Sequence, residues 1–127
     1  DVHPREKIVV GRRLANLVRK HVYGVELNAD HPDLVRYALR DDKLLLTFDH
    51  CIKLITPGNA PVKGFQVMDN KGKISDVNAN ILSGNVVQIV KPNFQFTKIL
   101  YGYEPFSRAN LQNEIGTPVS TFDLTIN

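Results

Sequence analysis

Residues Lys43-Leu44-Leu45-Leu46-Thr47-Phe48-Asp49 decide the fold of most of this chain. Successive side chains of an extended strand point to opposite faces, so Leu44, Leu46 and Phe48 share one face. Such an apolar face, bounded by polar residues, is typical of a β-strand that is buried on one side. The stretch therefore predicts a strand that packs into a core.

Short segments of the same kind continue along the chain, and turn-forming residues separate them. Asp69-Asn70-Lys71-Gly72 and Ser83-Gly84-Asn85 are tight-turn sequences, and Pro57-Gly58-Asn59 breaks the chain. No helical periodicity intervenes, and this pattern predicts a mainly β fold, an antiparallel β-sandwich over residues 34–127. The other predicted strands are Val62–Met68, Val77–Leu82, Val86–Val90, Thr97–Tyr103 and Thr121–Ile126. The predicted core consists of Leu44, Leu46, Phe48, Phe65, Val67, Val87, Ile89, Ile99 and Tyr101.

The first 24 residues have a different pattern. Their apolar residues recur at helical spacing, at Val10, Leu14, Leu17, Val18 and Val22. A proline at position 4 suits a first helical turn, and a glycine at position 24 suits a helix end. We predict one α-helix in residues 1–24 and a linker over residues 25–33. The apolar face of the helix needs a partner, either the sandwich or a second copy of the chain in a homo-oligomer.

Composition narrows the possible partners. The chain has 127 residues, 43% of them hydrophobic, which allows one core domain and part of another. A net charge of +3 is too small to indicate a nucleic-acid partner, and the basic residues Arg12, Arg13, Arg19 and Lys20 are interpreted as the solvated face of the helix. No apolar run reaches the length of a membrane span. The sequence does not begin with Met, so we expect this chain to be a segment of a longer protein.

Three acid–histidine clusters are candidates for chemistry: Asp1/His3, Asp30/His31 and Asp49/His50/Cys51. Adjacent residues of a strand point to opposite faces, so His50 and Cys51 are poorly placed to chelate a metal or to act as a base–nucleophile pair. We expect no metal site, and we interpret the single cysteine as a small buried apolar residue. His3 stands before the predicted helix, where it is either a helix-capping residue or a general base with a freely projecting ring.

Four stretches, in this order, carry a resemblance to a known family. The first comprises Asp1-Val2-His3-Pro4-Arg5-Glu6-Lys7 with Val10-Gly11-Arg12-Arg13-Leu14-Ala15 and Tyr23-Gly24. The others are Leu46–His50, Lys63–Val67 and Ala109–Pro118. Together they resemble the C-terminal portion of the sialate O-acetylesterase family, although Ile115-Gly116-Thr117-Pro118 departs from the family's pattern by one residue.

The resemblance implies a parent enzyme of the SGNH hydrolase class, an α/β/α fold that removes acetyl groups from sugars with a serine nucleophile and a histidine base. His3 falls on the family's His-Pro histidine. Asp1 is either the acid of the catalytic triad or a flanking residue, since the class places that acid three residues before the histidine rather than two. The helix would close the hydrolase domain, and the sandwich would be an accessory domain.

The same resemblance implies that this chain holds the histidine but not the serine, because Ser75, Ser83, Ser107 and Ser120 match no nucleophile motif. The chain alone is therefore expected to be inactive. Its expected partners are an acetylated sugar and the N-terminal remainder of the same protein, without a metal or organic cofactor, and the expected location is periplasmic or secreted.

A rival hypothesis is a non-catalytic carbohydrate-binding or structural β-sandwich. It predicts a preformed groove of exposed aromatic side chains, for which the candidates are Phe94, Phe96, Tyr101, Tyr103 and Phe106. The alternative role of these aromatics is to pack in the core.

Overall fold

The computed structural model describes residues 5–8, 30–104 and 108–126, of which residues 5–8 are described by their backbone only. This part of the chain forms nine strands in two antiparallel sheets, as predicted for the sandwich. The strands are β1 (Arg5–Ile8), β2 (Leu34–Arg40), β3 (Lys43–Phe48), β4 (Phe65–Met68), β5 (Ile74–Asp76), β6 (Ala79–Ser83), β7 (Val86–Val90), β8 (Lys98–Tyr101) and β9 (Phe122–Thr125). The strand order is β1-β2-β3-β7-β6 in the five-stranded sheet and β5-β4-β8-β9 in the four-stranded sheet.

The core lies between the two sheets. In the five-stranded sheet, Leu44 pairs with Ile89 and Leu46 with Val87, so the apolar faces of β3 and β7 coincide. All nine residues predicted for the core are at most 2% exposed, which confirms the predicted strand faces. The sequence did not single out the residues that complete this core, which are Leu34, Tyr37, Leu54, Leu111, Val119 and Phe122.

Strand β1 corrects part of the predicted helix. Arg5–Ile8 pairs in antiparallel fashion with β2, with Arg5 opposite Leu39 and Ile8 opposite Arg36, so the helical prediction is wrong for these four residues. An edge strand exposes unpaired backbone N–H and C=O groups, and addition of β1 to the edge of β2 satisfies one row of them. The rest of the predicted helix, residues 1–4 and 9–24, lies outside the described residues. None of the helical segments in the described part has the length and apolarity needed to span a bilayer.

The end of the predicted linker is attached to the sandwich. The Ser120 N–H donates to the Pro32 carbonyl oxygen over 2.9 Å, and the Asp49 N–H donates to the Asp33 carbonyl oxygen over 3.0 Å. The His31 Nδ1 lies 2.8 Å from the Pro118 carbonyl oxygen, which places the ring proton on Nδ1. These bonds fix the point at which the chain enters the first long strand.

Candidate functional site

A polar pocket of about 430 Å³ lies at one end of the four-stranded sheet. Strand β4, the segment before it and the end of β5 supply most of its wall. Its lining consists of Val62, Lys63, Gly64, Phe65, Gln66, Asp76, Val77, Asn78, Glu104 and Arg108. The volume falls within the range of roughly 300–1,000 Å³ that is usual for small-molecule sites.

Gln66 connects the two carboxylates of this pocket. It alternates in β4 with the core residues Phe65 and Val67, so its side chain lies on the outer face of the sheet, yet it is only 9% exposed. Its Nε2 donates to Asp76 Oδ1 and to Glu104 Oε1, each over 3.0 Å. Because Asp76 is also its register partner on β5, the strand pairing itself brings the amide to the first carboxylate.

The charged groups of the pocket balance one another. Asp76 and Glu104 contribute two carboxylates, and Lys63 and Arg108 contribute two cationic side chains, all of them exposed. The Lys63 backbone is held in place because its N–H donates to Asn110 Oδ1 over 2.8 Å, while the Asn110 Nδ2 donates to the Pro61 carbonyl oxygen over 2.9 Å.

The structure also brings together two of the acid–histidine clusters. His50 Nδ1 lies 3.0 Å from Asp49 Oδ1, and His50 Nε2 lies 3.6 Å from Asp30 Oδ2. The same Asp49 oxygen accepts a hydrogen bond from the Asp33 N–H over 2.9 Å. Because both ring nitrogens face carboxylates and Asp49 also receives a backbone donor, this cluster joins the linker to the end of β3.

The remaining candidates for nucleophilic or metal chemistry are weak in the described residues. Burial, and to a smaller extent the Glu114 charge, raises the pKa of Cys51 to about 11, which leaves the thiol protonated at neutral pH. Within residues 30–104 and 108–126, no three His, Cys, Asp or Glu side chains are arranged to hold a metal ion.

The aromatic candidates divide between core and surface. Tyr101 is 1% exposed and packs against Phe65, with ring centroids 4.7 Å apart, while Phe96 packs against the core from its edge. Phe94 and Tyr103 are exposed. Phe106 lies outside the described residues, as do Ser107, Asp1 and His3.

Three of the stretches that carry the family resemblance meet in the fold. Asn113, in the stretch Ala109–Pro118, donates through Nδ2 to the His50 carbonyl oxygen over 3.2 Å, and its Oδ1 accepts from the Thr117 N–H over 2.9 Å. Gly64, in the stretch Lys63–Val67, packs so closely on Ala109 that a Cβ atom at position 64 would lie only 2.6 Å from the Ala109 Cα. In the described part of the chain, these motif residues therefore serve mainly to hold loops and strands together.

The pocket residues were not identified as a site from the sequence. Gln66 offered a weak signal, since a polar residue between two core positions of a strand marks a polar outer face. Glu104 and Arg108 gave none, because they belong to a loop without a recognisable motif.

A solved structure resembles this chain in fold and in sequence. It is that of a carbohydrate acetylesterase from Xanthomonas citri, with a TM-score of 0.66 and 27% sequence identity. The match covers 90% of this chain but only 27% of that protein, so the chain spans little more than a quarter of its neighbour's length. No family model and no curated protein matches the chain. This neighbour supports a relationship to carbohydrate esterases.

Proposed function

We propose that the chain is the C-terminal part of a carbohydrate O-acetylesterase of the sialate O-acetylesterase family. The observation that carries the proposal is the similarity to a carbohydrate acetylesterase over 90% of the chain. The ordered motif stretches described above support the finer assignment, and they place the proposed base at His3. The protein would act in the periplasm or outside the cell.

In the proposed reaction, a serine in the remainder of the protein attacks the acetyl carbonyl carbon while His3 accepts the serine proton. Hydrogen-bond donors stabilise the negative charge on the carbonyl oxygen. His3 then returns the proton to the departing sugar oxygen, which breaks the ester bond and leaves an acetyl-serine. Water, deprotonated by the same histidine, attacks this intermediate, and the histidine returns that proton to the serine oxygen as acetate leaves. Asp1 would orient and stabilise the histidine ring.

The described geometry suggests what the sandwich contributes. Strand β1 begins two residues after His3 in the sequence, and its ladder with β2 ties the backbone that follows the His-Pro pair to the five-stranded sheet. The hydrogen bonds accepted by Pro32 and Asp33 hold the start of β2, the strand with which β1 pairs. The sandwich would therefore help to position the strand that follows the catalytic histidine.

The test is a pair of histidine variants in the longer protein, assayed by acetate release from O-acetylated sialic acid and acetylated xylo-oligosaccharides. His3→Ala should lower kcat by about 10⁴–10⁶-fold in a folded protein. His31→Ala is the matched control, because His31 is also followed by proline and its ring bonds the Pro118 carbonyl oxygen. It should lower kcat by less than about tenfold, which is the effect expected from the loss of one ordinary hydrogen bond.

Two results would overturn the proposal. One is full activity in a folded His3→Ala protein. The other is sustained acetylesterase turnover by the 127-residue chain on its own, since a base without its nucleophilic serine has nothing to activate.

A further inference from the structure

The pocket around Gln66 is built as an array of fixed hydrogen-bonding groups. A side-chain amide has two N–H donors, and the nitrogen of Gln66 directs them to two different carboxylates, those of Asp76 and Glu104. These acceptors fix the orientation of the amide, since the reverse orientation would place its oxygen against two anions. In the part of the chain that the structure describes, no donor reaches the Gln66 oxygen, which leaves it available to a ligand.

Gln66 is largely buried although it lies on the outer face of the sheet. Leu100, its register partner on β8, is fully buried although it lies outside the cluster of core residues between the sheets. The outer face of the sheet is thus covered at this point. The Gln66 amide contributes to the pocket from a largely buried position, where its bonds to Asp76 and Glu104 hold it.

The balance of charge selects the class of ligand. Two carboxylates and two cationic side chains line the pocket. An anion would therefore be repelled by Asp76 and Glu104, and a cation would be repelled by Lys63 and Arg108. A sugar hydroxyl both donates and accepts, and it can therefore bond a carboxylate and a cationic donor at once. Neutral polyhydroxylated molecules can hydrogen-bond to both kinds of group without bringing a charge of their own against a like charge.

We propose that this pocket is a binding site for a neutral saccharide ring, with hydroxyl groups donating to Asp76 and Glu104 and accepting from Arg108 and Lys63. Binding here requires no ester chemistry, so it goes beyond the proposed esterase activity and is independent of it. In the longer protein, such a site would hold a glycan at the sandwich while the hydrolase part acts on its acetyl groups.

The experiment is a titration of the ¹⁵N-labelled chain with methyl β-galactoside and with methyl β-xyloside, each at millimolar concentration. The expected result is that at least one glycoside shifts the side-chain amide signals of Gln66 in a saturable way. Asp76→Asn should weaken that binding by about tenfold, because an acceptor that is charged becomes neutral. Asp123→Asn, an exposed carboxylate on β9 that does not line the pocket, is the matched control and should bind as the unaltered chain does.

Failure of this proposal is distinguishable from failure of the proposed function. If neither glycoside shifts the Gln66 amide signals, or if sodium sulfate shifts them instead, the saccharide site is wrong while the esterase proposal stands. Equal weakening by Asp76→Asn and Asp123→Asn would likewise contradict it. The spectral dispersion of both variants reports whether they are folded, and the glycosides carry no ester, so hydrolysis cannot affect the result.

Discussion

The Tyr101 hydroxyl accepts a hydrogen bond from the backbone N–H of Leu111 over 2.9 Å, and both residues are 1% exposed. This bond ties the last residue of β8 to the segment that leads towards β9. Burial raises the pKa of Tyr101 to about 12, and the bond from Leu111 partly opposes that rise. The phenol therefore remains neutral while it supports the loop.

Tyr101→Phe should reduce the free energy of unfolding by about 1–3 kcal/mol, because it leaves a buried N–H without its acceptor. Tyr103→Phe is the control, since Tyr103 is exposed and should tolerate the change within about 0.5 kcal/mol. Urea unfolding measures both values. Equal stability of Tyr101→Phe and the unaltered chain would show that the bond contributes nothing.

The raised pKa of Tyr101 also predicts a pH dependence of stability. The unfolded tyrosine ionises near its ordinary pKa of 10.0, while the folded residue stays neutral up to about 12. Stability from this group is thus fully present below pH 10 and is lost as the pH rises towards 12. Urea unfolding over this pH range should show a smaller loss in Tyr101→Phe than in the unaltered chain.

Gly64 and Gly72 form a matched pair for a test of close packing. Both have a positive φ, +104° for Gly64 and +86° for Gly72, but only Gly64 has a neighbour at the site of a Cβ, with the Ala109 Cα 2.6 Å away. Gly72→Ala should cost about 1–3 kcal/mol from backbone strain alone. Gly64→Ala should cost more, because the backbone of Ala109 must also move. Thermal or urea unfolding that gave equal losses would contradict this reading of the contact.

Cys51 should react slowly with iodoacetamide near neutral pH. Its pKa rises from 9.0 to about 11, so at pH 8 the reactive thiolate is about a hundredfold scarcer in the folded chain than in the unfolded chain. The rate should climb with pH up to about 11. The chain in concentrated urea is the control, and it should react faster with a midpoint near the ordinary thiol pKa. A folded chain with that same midpoint would refute the assignment.

Asp1→Asn in the longer protein tests the second proposed catalytic residue. If Asp1 is the acid that orients His3, Asp1→Asn should lower kcat by about 10⁴-fold, because an amide favours the wrong histidine tautomer. A loss of only about tenfold would instead identify Asp1 as a flanking residue that makes one hydrogen bond. The assay is the same acetate release that tests the His3→Ala variant.

The local sequence determined the antiparallel β architecture and nine residues of its core. Side chains alternate strictly along a strand, so the pattern of Leu44, Leu46 and Phe48 was sufficient to assign the buried face before any partner strand was known. The turn at Asp69–Gly72 was equally local: the Gly72 N–H donates to the Asp69 carbonyl oxygen over 3.1 Å, and Asp69 Oδ1 accepts from the Lys71 and Lys73 N–H groups. The catalytic prediction for His3 and Asp1 came from sequence resemblance and stays a prediction.

Only the tertiary structure decided the features that depend on contacts between distant residues. The pairing of β1 with β2 overrides a local helical pattern at Arg5–Ile8, because backbone groups at a sheet edge are satisfied by whichever segment reaches them. The pocket likewise requires Gln66 to meet Glu104, 38 residues away. No periodicity in a sequence encodes a contact of that separation, since it depends on how β4 and β8 pair and on where the following loop folds back.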